Sequence, residues 1–270
     1  MKHKIITFGE LMLRLSPDNN ERFTQAHSYE AVYGGGEANT AVSLANFNVD
    51  TRYVTKLPNH TIGQSAVNSL RQYGVDVSRI VRGGDQIGIY FLEKKTSQRP
   101  TNVIYNRNGS AFALATKEDF DWNSIFEGAT WFHFSGITPA ISDNMAEITI
   151  EACKEAKKRN ITVSCDLNYR SKLWSSEKAN KVMSEVCKYV DICIANEDDA
   201  VGIFGMDASK SDKEKNAYIA EELTKMFPNF KMVASVWRTE TSITTFKLQS
   251  MIYTDGKAYY SQEFFMNILD

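Results

Sequence analysis

Gly34-Gly35-Gly36-Glu37-Ala38-Asn39-Thr40-Ala41 runs straight into Val42, Leu44 and Ala45, an apolar stripe at helical spacing. Three glycines therefore stand at a helix start, where a bare backbone lets a ligand come close and the helix amides favour polar or anionic groups. By itself the triplet also fits a flexible turn whose helix is capped by Asn39. No Gly-Lys-Ser/Thr follows, which excludes a Walker phosphate loop. The triplet comes after about 30 residues rather than in a first strand-to-helix turn, which argues against an NAD-dependent dehydrogenase.

Outward from the triplet, short β-rich runs recur, each followed by a segment of helical spacing: Ile5 to Phe8, Tyr53 to Thr55, Trp131 to Phe134, Ile161 to Cys165, Ile192 to Ala195, and Met232 to Val236. This alternation predicts an α/β fold. Ser142-Asp143 opens a stretch with Met145, Ile148, Ala152 and Ala156, and Ser175 precedes Ala179, Val182, Met183 and Val186. Both read as amphipathic helices capped at their starts. Burying such stripes against strands that are apolar on both sides calls for a doubly wound, mostly parallel sheet with helices on both faces.

Two regions break the rhythm and read as strands without helices, Leu11 to Tyr33 and Gly88 to Tyr105. They predict a small separate β-sheet, built from about residues 11–34 and 87–108 of a single domain spanning 1–270. Ile243 to Tyr253 and Ala258 to Phe265 are joined by Thr254-Asp255-Gly256-Lys257, and Asp-Gly is a strong hairpin signal.

The 270 residues are 43% hydrophobic, enough for the core of one large domain. A formal charge of −2 leaves no net field to concentrate a polyanion, so nucleic acid is a poor partner. The four cysteines form no CxxC pair and are interleaved with apolar residues, as in a reducing compartment. The apolar run Ile5-Ile6-Thr7-Phe8 is too short for a signal peptide, and no segment reaches the ~20 apolar residues of a membrane span. A cytoplasmic protein with no membrane contact is the expectation. His133, inside Trp-Phe-His-Phe-Ser, reads as a satisfied sheet histidine rather than a metal ligand.

Gly-Gly-Gly-x-x-Asn-x-Ala after a first strand ending Phe8-Gly9-Glu10 resembles the sugar-binding signature of the ribokinase-like (PfkB) carbohydrate kinases. Other stretches agree in order and spacing: Gly74-Val75-Asp76, Gly88-Ile89-Tyr90, Tyr105-Asn106-Arg107 with Ser110-Ala111, and Asn196-Glu197-Asp198-Asp199. His133-Phe134-Ser135-Gly136-Ile137-Thr138-Pro139 and Asp166-Leu167-Asn168-Tyr169-Arg170 resemble the ketodeoxygluconate branch in particular. The resemblance covers residues 9 to 199.

It implies ATP-dependent phosphorylation of 2-keto-3-deoxygluconate at the 6-hydroxyl, with ATP and Mg²⁺ as cofactors. The separate sheet would then be a lid over the sugar and a surface for homo-oligomers. Arg107 and Arg170 would read the sugar carboxylate, since a planar guanidinium binds it through two parallel charge-assisted hydrogen bonds. Taken alone, an arginine beside a strand is more often half of a surface ion pair. Tyr90 and Tyr105 would pack along the carbon chain, although each could equally be a core aromatic. Gly35, Gly36 and Asn39 would hold the hydroxyl end, and Ile137 belongs to the same sugar-binding set. Asn196 and Arg238 would lie at the nucleotide. Asp199 would position Mg²⁺ through water, and it stands where the family usually has Glu. By itself the Asn196–Asp199 element also fits a helix cap.

Phosphoryl transfer needs an aligned hydroxyl, magnesium, donors for developing charge and a carboxylate to accept the hydroxyl proton. In the family the last two come from an Asp-x-x-Gly-Ala-Gly-Asp segment at a helix start. Leu269-Asp270 aligns with its opening aspartate, and no Gly-x-Gly-Asp occurs in the sequence. The resemblance thus implies a chain cut short before its catalytic loop, with the base beyond Asp270, apolar surface left bare, and little activity alone. Two alternatives remain open: a ribokinase-like kinase for another sugar such as fructose or ribose, and a non-catalytic sugar-acid binder.

Overall fold

The computed structural model describes residues 3–267, except 208, 210, 211 and 243 and the side chains of 212–214. Leu269 and Asp270, aligned above with the opening of the catalytic segment, lie outside the described residues.

From the N-terminus come β1 (Lys4–Phe8), β2 (Met12–Pro17), β3 (Tyr29–Gly34), α1 (Gly36–Asn46), β4 (Asp50–Val54), β5 (Lys56–Leu57), α2 (Thr61–Arg71) and β6 (Val81–Arg82). Next are β7 (Ile89–Glu93), β8 (Asn102–Asn106), α3 (Trp122–Ile125), β9 (Trp131–Ser135), α4 (Ile137–Ala140), α5 (Asp143–Lys158), β10 (Thr162–Asp166) and α6 (Ser176–Cys187). The last third holds β11 (Ile192–Ile194), α7 (Glu197–Phe204), α8 (Asp212–Met226), β12 (Met232–Glu240), β13 (Thr245–Thr254), β14 (Lys257–Tyr260) and β15 (Phe264–Asn267).

The main sheet has the order β14-β13-β12-β11-β10-β9-β1-β4, with β15 also on β13. Its strands are parallel from β4 through β12 and antiparallel beyond. Serine caps start the helices where the sequence places them. Ser142 Oγ accepts from Met145 N at the head of α5, and Ser175 Oγ accepts from Lys178 N at the head of α6. The stripes they start, Met145, Ile148, Ala152 and Ala156 in α5 and Ala179, Met183 and Val186 in α6, are buried against Phe132, Phe134, Val163 and Cys165 of the sheet. The opposite face meets α1 and α2, whose Ala38, Ala41, Ala66, Val67 and Leu70 enclose Tyr53.

That second face is unequally covered. Along the register Asp166↔Ile194↔Ala234↔Ile252↔Tyr259, exposure rises toward the edge, and Ile252 and Tyr259 are 41% and 56% exposed. Val236 and Phe264 are also exposed there. His133 belongs to the neighbouring row, where its Nδ1 meets Ser164 Oγ at 2.9 Å and burial lowers its pKa to about 4.

The hairpin turn falls on Asp255 and Gly256, both at positive φ (50° and 74°), the geometry that Asp-Gly favours. Its second strand differs from the single run to Phe265. Ser261 takes over the ladder, donating its N–H to Ser250 O and accepting Ser250 N on Oγ, so β14 stops at Tyr260 and β15 restarts at Phe264. All four cysteines are free and buried, and burial pushes their thiol pKa values up.

Phe8 ends β1 with its ring edge-on to Phe112, Phe120 and Trp122 at 5.2–5.4 Å, so it ties the sheet to the segment that returns from β8. Phe8→Ala is expected to cost about 3–5 kcal/mol in urea unfolding.

Candidate active site

In a parallel sheet the loops at the carboxyl ends of the strands open on one side, and the crevice lies where strand order reverses. Here that point is β1, with β4 on one flank and β9 on the other. Glu10 follows β1, Ile137 follows β9, Asp166 closes β10 with Arg170 beyond it, and Asn196 follows β11. The start of α1 faces the same end.

Beside this edge stands a four-stranded sheet of order β3-β2-β7-β8. Register puts Arg14 opposite Val32 and Tyr90, and Tyr90 opposite Tyr105, so these side chains share a face. The Tyr90 and Tyr105 rings lie 5.9 Å apart, and burial raises the Tyr90 pKa against the pull of the Arg14 charge. The Tyr90 hydroxyl and Asn39 Oδ1 come within 3.5 and 4.0 Å of where a Cβ on Gly34 would stand, which joins this face to the glycine triplet.

Gly35 and Gly36 differ. Gly35 caps α1 in extended backbone, and a Cβ there would lie 2.2 Å from Glu10 O, whereas a Cβ on Gly36 meets nothing within 4 Å. Asn39 does not cap the helix, contrary to the flexible-turn reading; it lies inside α1 and donates its N–H to Gly35 O at 2.8 Å. Glu37, fully enclosed, accepts from Ser135 N at 2.9 Å, and burial raises its pKa.

Arg107 is neither half of a surface pair nor unpaired. It is 6% exposed, and its Nε donates to Glu10 Oε2 at 2.7 Å, with Nη2 on the same oxygen. Ser110 Oγ donates to Glu10 Oε1. Burial raises the Glu10 pKa, against the pull of Arg107 and Ser110. The Arg107 guanidinium carbon is 5.8 Å from the Tyr105 ring centroid. Loss of one partner from such a buried pair typically costs about 3–5 kcal/mol.

At the next strand ends, Ile137 starts α4 with its N–H on Ser135 Oγ at 3.3 Å. Arg170 is exposed, and its charge only partly opposes the burial that raises the pKa values of Asp166 and Asp199. Asn196 and Asp199 do form a capping box on α7: Asp199 N donates to Asn196 Oδ1 and Asn196 N to Asp199 Oδ2, both at 3.0 Å. Asp199 Oδ1 accepts from Tyr169 N at 2.6 Å, so the buried carboxylate also fixes the loop that bears Arg170. Arg238, on β12, lies 4.3 Å from the Phe246 ring centroid and shares a cavity of about 400 Å³ with Asn196, Asp198, Lys215 and Trp237.

Asp166 is a mostly buried carboxylate set among like charges. Burial, then the charges of Asp199 and Glu37, push its pKa up to about 7. Sequence reasoning gave no role to Asp166, Glu10, Glu37 or Arg14. The signal for Arg14 was its place between Leu13 and Leu15, which turns it to the opposite face of β2. For the three carboxylates the signal was only their position at strand ends.

The pfkB family carbohydrate kinase signature matches residues 2–229. The chain belongs to the pfkB family. A 2-dehydro-3-deoxygalactonokinase of Haloferax volcanii is 37% identical over 209 residues, 77% of this chain and 65% of that protein. A 2-dehydro-3-deoxygluconokinase of Bacillus subtilis is 28% identical over 66% of this chain and 55% of that protein. The chain thus spans roughly three-fifths of the length of these curated relatives. The crystal structure of a 2-dehydro-3-deoxygluconokinase from Thermotoga maritima superposes with TM-score 0.95 at 45% identity, covering 100% of this chain and 82% of that one. Strand order, helix placement and the separate sheet of this pfkB chain therefore follow the ribokinase-like arrangement. No helix among the described residues is long and apolar enough to cross a membrane.

Gly35→Ala is expected to lower stability by about 1–3 kcal/mol, because the backbone it meets cannot give way, while Gly36→Ala leaves Tm nearly unchanged in thermal melts. For Asp166, the folded chain keeps its proton to about pH 7 while an unfolded aspartate releases it near 3.8. The unfolded state binds fewer protons between those values, so stability falls as pH rises through that window. Asp166→Asn removes this dependence. Its stability relative to the unsubstituted chain is expected to rise by on the order of 3 kcal/mol from about pH 4 to pH 8.

Proposed function

We propose that this chain binds 2-keto-3-deoxygluconate (2-dehydro-3-deoxygluconate) between the four-stranded sheet and the carboxyl ends of the main sheet, and belongs to an ATP-dependent kinase that phosphorylates its 6-hydroxyl. The observation that carries this reading is Arg107, a guanidinium 6% exposed, held beside the Tyr90–Tyr105 pair that leads down to Gly34 and Asn39. Glu10 occupies Nε and Nη2, and the outer edge of the guanidinium is left for a carboxylate. The tyrosine pair suits a short carbon chain, and the amides at Gly35 and Gly36 suit its hydroxyl end. Arg170, exposed beyond β10, adds a weaker second cation. The names of the similar proteins point to the same class of substrate.

ATP and Mg²⁺ fit the neighbouring surface. ATP supplies the phosphoryl group and Mg²⁺ the positive charge that screens it. The 400 Å³ cavity is lined by Asn196, Trp237 and Arg238 together with Glu197, Asp198 and Lys215, and Lys215 pairs with Glu197 at 2.9 Å, so Arg238 is the cation offered to a phosphate and Trp237 an aromatic edge. Asp166, partly buried and crowded by Asp199 and Glu37, holds a proton that a nearby cation would release. Mg²⁺ keeps several of its waters, and Asp166 and Asp199 would retain it through them.

Binding and turnover are separate claims. The residues assigned here bind and orient; the proton acceptor for the 6-hydroxyl is assigned to a Gly-Ala-Gly-Asp segment of the kind described above, and turnover requires it. The same proposal places the protein in the cytoplasm, supported by four buried free thiols. It pairs two copies through the far face of the four-stranded sheet, where Tyr29 and Ile104 are 37% and 51% exposed on the side opposite Tyr90.

Calorimetric titration with 2-dehydro-3-deoxygluconate, its C4 epimer 2-dehydro-3-deoxygalactonate, fructose and ribose tests the reading, with phosphoryl transfer followed in parallel. Arg107→Met is expected to weaken the sugar acids by roughly 30-fold or more. Arg170→Met should weaken them by about tenfold or less, and both variants should leave neutral sugars little changed. Equal losses for acid and neutral sugars would remove the carboxylate-reading role.

A further inference from the structure

The chain passes between the two sheets four times: from β1 to β2 through Gly9-Glu10-Leu11, from β3 to α1 through Gly35, into β7 through Gly88, and out of β8 through Arg107 to Ser110. All four passages converge on Glu10. It forms the first itself. At the second, the backbone of Gly35 passes so close that a Cβ would lie 2.2 Å from Glu10 O. At the third, a Cβ on Gly88 would lie 2.6 Å from Glu10 Oε1. At the fourth, Arg107 donates to Oε2 and Ser110 to Oε1. The first and third passages are also joined directly, Leu13 N donating to Gly88 O at 2.8 Å.

The Glu10 side chain is 2% exposed and that of Arg107 7%. Charges so deep are tolerated only when paired and hydrogen-bonded, and the pairing is then strong and directional. The two oxygens divide the work: one fixes the arginine, the other the serine three residues on, so a single side chain sets where the strand-to-core return of β8 meets the end of β1.

We propose that Glu10 is a positioning residue that pins the four-stranded sheet over the candidate site and holds Arg107 with its outer edge toward the ligand. The pinning stands on geometry alone; the effect on ligand affinity rests on the sugar-acid reading above. Removing the carboxylate strands the arginine's charge, and removing both partners does not. That asymmetry distinguishes a charge-pair pin from mere filling of space.

Amide hydrogen exchange is measured on the unsubstituted chain, Glu10→Gln, Arg107→Met and the double variant Glu10→Gln/Arg107→Met, each also titrated with 2-dehydro-3-deoxygluconate. In Glu10→Gln, exchange in β2, β3, β7 and β8 is expected to rise about tenfold or more while β9, β10 and β11 keep their protection. The double variant should recover protection relative to Glu10→Gln. Sugar-acid affinity should fall about tenfold in Glu10→Gln, and the double variant should bind no more weakly than Arg107→Met alone, since Glu10 acts through that residue. Unchanged exchange in Glu10→Gln, an equal rise in both sheets, or a double variant less protected than Glu10→Gln overturns the pin. If Glu10→Gln does not fold, Glu10→Asp, which keeps the charge but withdraws it by one methylene, carries the same comparison. The exchange pattern without sugar-acid binding by the unsubstituted chain would leave the pin standing and sink the substrate reading; binding with unchanged exchange would do the reverse.

Discussion

A strand inside a parallel sheet buries both faces and cannot turn straight back into its neighbour, so the chain leaves the sheet after each strand and returns across a helix. Every such strand then releases the chain at the same edge. Five such crossings join six parallel strands here, and they bring Glu10, Ser135, Asp166 and Asn196 together although they are scattered over most of the sequence. The second sheet is built inside the first two of these crossings, β2 and β3 between β1 and β4 and β7 and β8 between β4 and β9, while β12 turns straight back into antiparallel β13. The fold thus supplies a floor of strand ends and, from an interruption of its own rhythm, a wall beside it.

Three carboxylates lie along that floor, and each is stabilised differently. Glu10 is met by a guanidinium and a hydroxyl. Glu37 accepts the Ser135 backbone N–H and, at 3.5 Å, the Thr138 hydroxyl, and burial favours its protonated form. Asp166 faces Asp199 and Glu37 with Arg170 and hydrogen bonds from Asn168 in opposition, and its proton is held up to about pH 7. The floor therefore changes character from the β1 end, where charge is matched, to the β10 end, where negative charge is in excess. Under the proposed function a cation would sit at the second end and a ligand carboxylate at the first, a polarity set by side chains rather than by the sheet.

Local features were legible in the sequence. Ser142 and Ser175 cap their helices because a short hydroxyl before an apolar stripe is a property of adjacent residues. Asp255-Gly256 turns the hairpin for the same reason. Distant relations were not legible. Arg107 pairs with a residue 97 positions away, and nothing near it in the chain announces a buried carboxylate. Asp199 was read as a metal-side carboxylate or a cap, and the structure adds a third engagement with Tyr169 N, 30 positions off, which only the fold creates. The break at Ser261 escaped because Ser261 continues the ladder with its own hydroxyl, leaving the apolar pattern of Ala258 to Phe265 intact.

The four cysteines have a practical side. Cys165 and Cys193 are register neighbours on β10 and β11, Cys153 and Cys187 come from α5 and α6, and burial keeps all four as protonated thiols. Thiolate is the reactive form, so the folded chain is poorly reactive toward alkylating reagents. A fifth cysteine placed on the surface, at exposed Leu114 for instance, would accept a fluorophore alone. The native thiols would respond only when the α5–α6 layer parts from the sheet, so their alkylation rate becomes a clock for opening of the core.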